Sequence, residues 1–152
     1  MLNRASMTFC VALLVGVFGA ANASANSSLT KPQYIKQGDA ICAKAIAQLK
    51  ALGRATTMAS VASKGPRWLV IDNATLKALH ALRPAPADAA SVKVLLAGAQ
   101  TAMNETANAI TAAKAGTTTA FVAHARKSVK LTRHWQSVAR SFGFSTCTHW
   151  GE

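Results

Sequence analysis

Four stretches of this chain repeat apolar residues at intervals of three, four and seven, and none alternates apolar with polar over a useful length. A helix with 3.6 residues per turn gathers such residues on one side, whereas a strand sends successive side chains to opposite faces. The pattern therefore predicts an all-α chain. Glycines and prolines stand between the stretches. They divide the chain into four predicted helices.

The first predicted helix covers about 30–52. Thr30 suits an N-cap, and Pro32 suits a first turn, where its missing N–H is not needed. Tyr34, Ile35, Ile41, Cys42, Ala45, Ile46, Leu49 and Leu52 form its apolar side, and Gly53 ends it. Gly38 interrupts the run, which points to close approach of a neighbouring helix. Residues 54–65 are small and polar and are expected to form a connection with at most a turn or two of helix. Pro66 then opens a second helix with Trp68, Leu69, Ile71, Leu76, Leu79 and Leu82 on its apolar side. Pro84 and Pro86 end it.

The third predicted helix covers 87–115, with Asp88 favouring its positive end. Val92, Leu95, Leu96, Ala99, Ala102, Met103 and Ile110 make its buried stripe, and Gly116 closes it. Thr117, Thr118 and Thr119 offer caps for the fourth. Its expected core face is Phe121, Val122, Ala125, Val129, Trp135, Val138, Ala139 and Phe142. Gly143 fits the left-handed position that ends many helices, with Phe144 packing back after it. Four helices joined by short links predict a four-helix up-down bundle. Alanine dominates the apolar residues, so the axes are expected to pack closely.

Residues 1–25 have the form of a signal peptide: Arg4 ahead of an apolar run over 7–18, then small residues allowing cleavage after Ala23 or Ala25. The alternative is a retained anchor, although the run falls short of the roughly 20 residues a spanning helix needs. Phe9 precedes Cys10 where a lipid-attachment motif wants a small residue. The expectation is an exported chain with one domain over 26–152.

Removing the leader removes Cys10 and leaves Cys42 and Cys147. An even pair in an oxidising compartment reads as a disulfide. Closing a loop of about 100 residues stabilises by about 4.7 kcal/mol in the chain-entropy account. The rival is a metal pair of Cys147 with His149, two ligands where zinc wants four.

Charge bounds the partners. The chain carries 17 Lys and Arg against 5 Asp and Glu, a formal net charge of +12. Such a surface attracts phospholipid headgroups, anionic wall polymers, nucleic acids and acidic proteins. No specific nucleic-acid motif accompanies it. Arg126, Lys130, Arg133 and Arg140 are spaced to fall within about 80° on one side of the fourth helix. That stripe is the candidate contact with an anionic surface, and its alternative is an ordinary solvated helix face.

Chemistry is sparsely supplied. The acids are Asp39, Asp72, Asp88, Glu105 and Glu152, too scattered for an evident carboxylate pair. A catalytic triad has no local motif. Glu105 against a basic cluster is the one arrangement that would suit an enzyme acting on an anionic substrate. His80, His124, His134 and His149 show no ligand spacing, and the covalent haem motif is absent. Met58 or Met103 with a histidine would be needed for haem, so no cofactor or metal is expected. Asn73 and Asn104 each begin an Asn-x-Thr acceptor pattern.

Tyr34-Ile35-Lys36-Gln37-Gly38-Asp39-Ala40-Ile41-Cys42 resembles the opening helix of small exported helical proteins of actinobacterial type. So do Leu79 to Pro86, with their Pro-x-Pro turn, and Gly143 to Cys147, ending in a last cysteine. The resemblance covers most of the chain after the leader. It implies a bundle and a Cys42–Cys147 pair. The group carries no assigned activity, so no functional residue transfers, and many of its members look like lipoproteins.

Three functions remain as expectations. The first is a non-enzymatic exported protein that docks to an anionic envelope surface or partner through the fourth helix. The second is a small-ligand carrier or sensor with a pocket between helices, near Trp68 or Trp135. The third is a small all-α enzyme acting on an anion. The oligomeric state is not legible.

Overall fold

The computed structural model describes residues 28–151. The expected leader, with Arg4 and Cys10, lies outside them, as does Glu152. Four α-helices make up the described chain: α1 (Lys31–Leu52), α2 (Met58–Ala81), α3 (Pro86–Lys114) and α4 (Thr118–Phe142). A single 3₁₀ turn, Cys147–His149, follows, and the described residues form no strand.

The N-terminus of α1 follows from Thr30-Lys31-Pro32. Thr30 is the N-cap, and its backbone N–H donates to Gln33 Oε1 at 3.0 Å. Pro32 sits in the first turn. Leu29, just before α1, is held in place. Its N–H donates to the Arg83 carbonyl at 2.6 Å, and its carbonyl accepts from Ala85 N–H at 2.8 Å. The chain entry is thereby tied to the α2–α3 turn.

The start of α2 departs from expectation. The helix begins at Met58, and Pro66 lies inside it. Thr57 caps it, with reciprocal bonds between Thr57 and Ser60: Ser60 N–H to Thr57 Oγ1 at 3.1 Å and Thr57 N–H to Ser60 Oγ at 3.0 Å. An interior proline leaves the carbonyl four residues earlier without its usual donor. The neighbouring Gly65 shows what the site gains. A Cβ there would lie 2.5 Å from Ile110 Cγ1 and 3.0 Å from Ile110 Cγ2. Gly65 is the notch into which α3 presses.

Successive helices run antiparallel. Trp135 Nε1 donates to the Leu95 carbonyl at 3.0 Å, while Thr106 Oγ1 and Ser128 Oγ meet at 2.7 Å, so positions rise along α3 as they fall along α4. Gly65 faces Ile110 from α2 to α3, and Gly38 faces Leu79 from α1 to α2. The most extensive packing is between α3 and α4. The predicted α3 stripe is buried throughout: Val92, Leu95, Leu96, Ala99, Ala102, Met103 and Ile110.

α4 ends as its sequence suggests. Gly143 takes φ 117°, a conformation costly for residues with a Cβ. Phe144 N–H donates to the Ala139 carbonyl at 3.0 Å and Gly143 N–H to the Arg140 carbonyl at 3.0 Å, which closes the last turn. The tail then crosses to α1. Phe144 is buried, and a Cβ on Gly38 would lie 2.5 Å from its ring. The close approach at Gly38 is chiefly to this ring rather than to a helix.

Cys42 and Cys147 form a disulfide across 105 positions, so Cys147 does not join His149 as a metal ligand. Asp39 secures the same segment. Its Oδ1 accepts from Thr146 N–H at 2.8 Å and Cys147 N–H at 2.9 Å, and its Oδ2 accepts from Ser145 N–H at 3.1 Å and Ser145 Oγ at 2.8 Å. Tyr34, Phe142 and Phe144 pack together beside this joint with ring centres 5.6 to 6.1 Å apart.

Two core expectations on α4 fail. Val122 is 36% exposed and Val129 51% exposed. α4 packs chiefly against α3, so apolar residues off that seam have little to cover them. The notch at Gly65 yields a stability prediction. Gly65→Ala would gain about 1 kcal/mol from helix propensity in an open position. Against Ile110 it is expected to lose about 1 to 3 kcal/mol by overpacking. Urea unfolding of Gly65→Ala, Ile110→Ala and the double variant checks this. The double variant should be more stable than the sum of the two single losses allows.

Candidate functional site

The separation of α1 from α4 opens a cleft of about 810 Å³ bordered by all four helices and the tail. Helical spacing builds its walls. Trp68 and Asp72 lie one turn apart on α2, and Ala99, Ala102, Met103 and Thr106 follow one another on a single side of α3. The small side chains of Ala99 and Ala102 leave room that larger residues would fill. Val129, Thr132, Arg133 and Trp135 come from α4, and Leu49, Lys50, Gly53 and Arg54 from the end of α1 and the turn after it.

Trp150 borders one side of this space. The disulfide and the Asp39 clamp bring the tail to the correct place. Its indole Nε1 donates to Asp72 Oδ1 at 2.8 Å, and its ring meets Trp135 edge-on at 5.3 Å between centres. Gln136 Nε2 donates to the Trp150 carbonyl at 3.3 Å. One tail residue thus joins α2 to α4 across the cleft. Trp135 is pinned from behind by its bond to the Leu95 carbonyl.

Asp72 is the chemically distinctive group. Burial pushes its carboxyl up to about 6, opposed by the hydrogen bond from Trp150. Asp72 is half-buried and lines the cleft. No cation of the described residues forms a salt bridge with it. A carboxyl kept in a cleft at a folding cost marks a candidate site.

The residues singled out in the sequence divide between two places. Arg126, Lys130, Arg133 and Arg140 are all exposed on α4. Arg133 also borders the cleft, together with Lys50 and Arg54. Glu105 lies elsewhere on the α3–α4 seam. It pairs with Lys127 Nζ at 2.7 Å and His124 Nδ1 at 2.8 Å. The Lys127 and His124 hydrogen bonds hold its carboxyl below the usual range. It therefore serves as a tie between helices rather than an open acid. His80 is exposed and edges a shallow groove with Leu82 and Val92. The described residues hold no cluster of three potential metal ligands.

Asp72, Lys50, Arg54 and Trp150 were not legible as a group. Only Trp68 and Trp135 carried a signal, as aromatic residues on helices otherwise rich in alanine. Comparison with known proteins adds no assignment: no protein-family model, no curated protein and no solved structure matches the chain.

The raised carboxyl of Asp72 gives a pH prediction. The native state binds this proton more tightly than the unfolded chain, so the contribution of Asp72 is most favourable below the unfolded pKa near 4. It declines as pH rises through 6. Asp72→Asn keeps an acceptor for Trp150 without the buried charge. The variant is expected to exceed the parent by about 2 kcal/mol at pH 7.5 and by nothing at pH 4. Chemical unfolding of both proteins at the two pH values measures the difference.

Proposed function

We propose that this chain is an exported, non-enzymatic binding protein that holds a small molecule in the cleft between its four helices. The carrying observation is the cleft itself: about 810 Å³, bordered by Trp68, Trp135 and Trp150. That volume lies within the range of pockets that hold drug-sized ligands. Its border includes one carboxyl group and neither histidine nor cysteine, so no second acid–base or nucleophilic side chain of those types stands beside Asp72. The up-down bundle scaffold, leader removal after Ala23 or Ala25, and kinship with the exported helical proteins that the opening helix resembles belong to the same proposal. The disulfide is compatible with export.

A native mass spectrum of protein purified gently from its host's exported fraction tests it. The expected result is a chain lacking residues 1–23 or 1–25 with a defined extra mass, which is lost in Trp68→Ala. A bare mass from the parent protein, with no change in tryptophan emission on adding an extract of the same fraction, would refute the carrier reading.

A second reading keeps the α4 stripe as the contact with an anionic envelope surface or acidic partner. It is favoured by the exposure of all four cations and by the lack of any salt bridge to them among the described residues. No described helix is long and apolar enough to cross a membrane, so such contact would be peripheral. Cosedimentation with vesicles containing anionic lipid should fall steeply between low salt and about 0.5 M. Changing Arg126, Lys130 and Arg133 to Glu should abolish it. Association that is indifferent to both would rule this reading out.

A further inference from the structure

We infer that the cleft takes an amphipathic anion: a flat apolar body carrying one carboxylate, sulfonate or phosphate head. This rests on the carrier reading and assigns its ligand class. The apolar part follows from the inner surface, where Trp135, Met103, Ala99 and Ala102 are all buried. Indole rings offer flat faces at low conformational cost.

The anionic head follows from the border. Lys50, Arg54 and Arg133 all edge the cleft and are exposed. None forms a salt bridge among the described residues. Lys64 adds a fourth charge beside them, its Nζ donating to the Arg54 carbonyl at 3.0 Å. Cations that border one cleft without acidic partners make its edge electropositive, and an anion is attracted there.

Asp72 sets the direction of entry. It is half-buried, whereas the cations are exposed. A carboxylate at depth disfavours a second anion beside it and accepts a donor instead. The ligand therefore lies with its head at the Lys50–Arg54–Arg133 mouth and its body against the indoles. A hydroxyl or N–H on that body would be accepted by the Asp72 carboxylate at the cleft border.

Two dyes with the same phenyl-naphthylamine body test this: 1-anilinonaphthalene-8-sulfonate and the uncharged N-phenyl-1-naphthylamine. Both are titrated into the disulfide-intact protein at low salt, and tryptophan quenching is followed. An exposed charge pair adds up to about fivefold in affinity, so the sulfonate should bind up to about fivefold more tightly than the neutral dye. Lys50→Gln with Arg133→Gln should erase that preference and leave the neutral dye unchanged. Equal binding of both dyes would overturn the ligand class while sustaining the carrier reading. Quenching by neither would refute both. Sulfonate binding that survives the cleft substitutions but is lost in Arg126→Gln with Lys130→Gln would place the anion on α4 and overturn the inference. Near-ultraviolet circular dichroism of each variant confirms that the fold is kept.

Discussion

The joint between α1 and the tail governs the rest of the structure. One covalent bond, Cys42–Cys147, and one carboxylate, Asp39, act on the same three-residue segment, Ser145 to Cys147. The disulfide limits how far the tail can stray. Asp39 sets its conformation, because three consecutive backbone N–H groups converge on its two oxygens. Bonds to a charged acceptor are stronger than neutral ones. Phe144 and Trp150 take their positions from this arrangement. Phe144 completes the aromatic cluster around Tyr34, and Trp150 completes the cleft.

Large side chains are few, and the fold spends them unevenly. Tyr34, Leu79, Phe142 and Phe144 gather near the start of α1 and the end of α4, where they fill space well. Toward the other ends of those two helices the facing residues include Leu49, Ala99, Ala102 and Val129. Trp68, Trp135 and Trp150 border that gap without filling it, and the small side chains of Ala99 and Ala102 leave room between them. The cleft is thus a result of composition as much as of topology. The Tyr34 hydroxyl is the exception within the filled end. It is buried without a hydrogen-bond partner among the described residues, and burial pushes it up to about 12.

Most of the helical frame was legible because its signals are local. Thr30 and Pro32 mark the start of α1, Gly143 and Phe144 mark the end of α4, and the α3 stripe is continuous. The start of α2 was misread because Gly65-Pro66 has the form of a helix opening. Its true role is a notch for Ile110, which lies 45 positions away and leaves no trace in the local pattern. Val122 and Val129 were misplaced for a related reason. Apolar spacing shows which side of a helix could be buried but not whether a neighbour is there to bury it. The cleft depends on Asp72, Arg133 and Trp150 meeting from three separate segments, so it was visible only as isolated tryptophans.

The tail contacts also have a consequence for the order of events in folding. Each helix pairs with the next in sequence, which keeps most contacts local and favours rapid formation. The tail is different: Cys147 must find Cys42, and Trp150 must find Asp72, across most of the domain. These non-local contacts carry the largest loop-closure entropy. They can therefore form after the helices have paired and can open before the helices separate. The border of the cleft that Trp150 supplies lies beyond the Cys147 tether and is held to the helices by the bonds of Trp150 with Asp72 and Gln136. The width of the cleft on this side therefore depends on the contacts of a single residue, Trp150, while its other walls are built from the helices themselves.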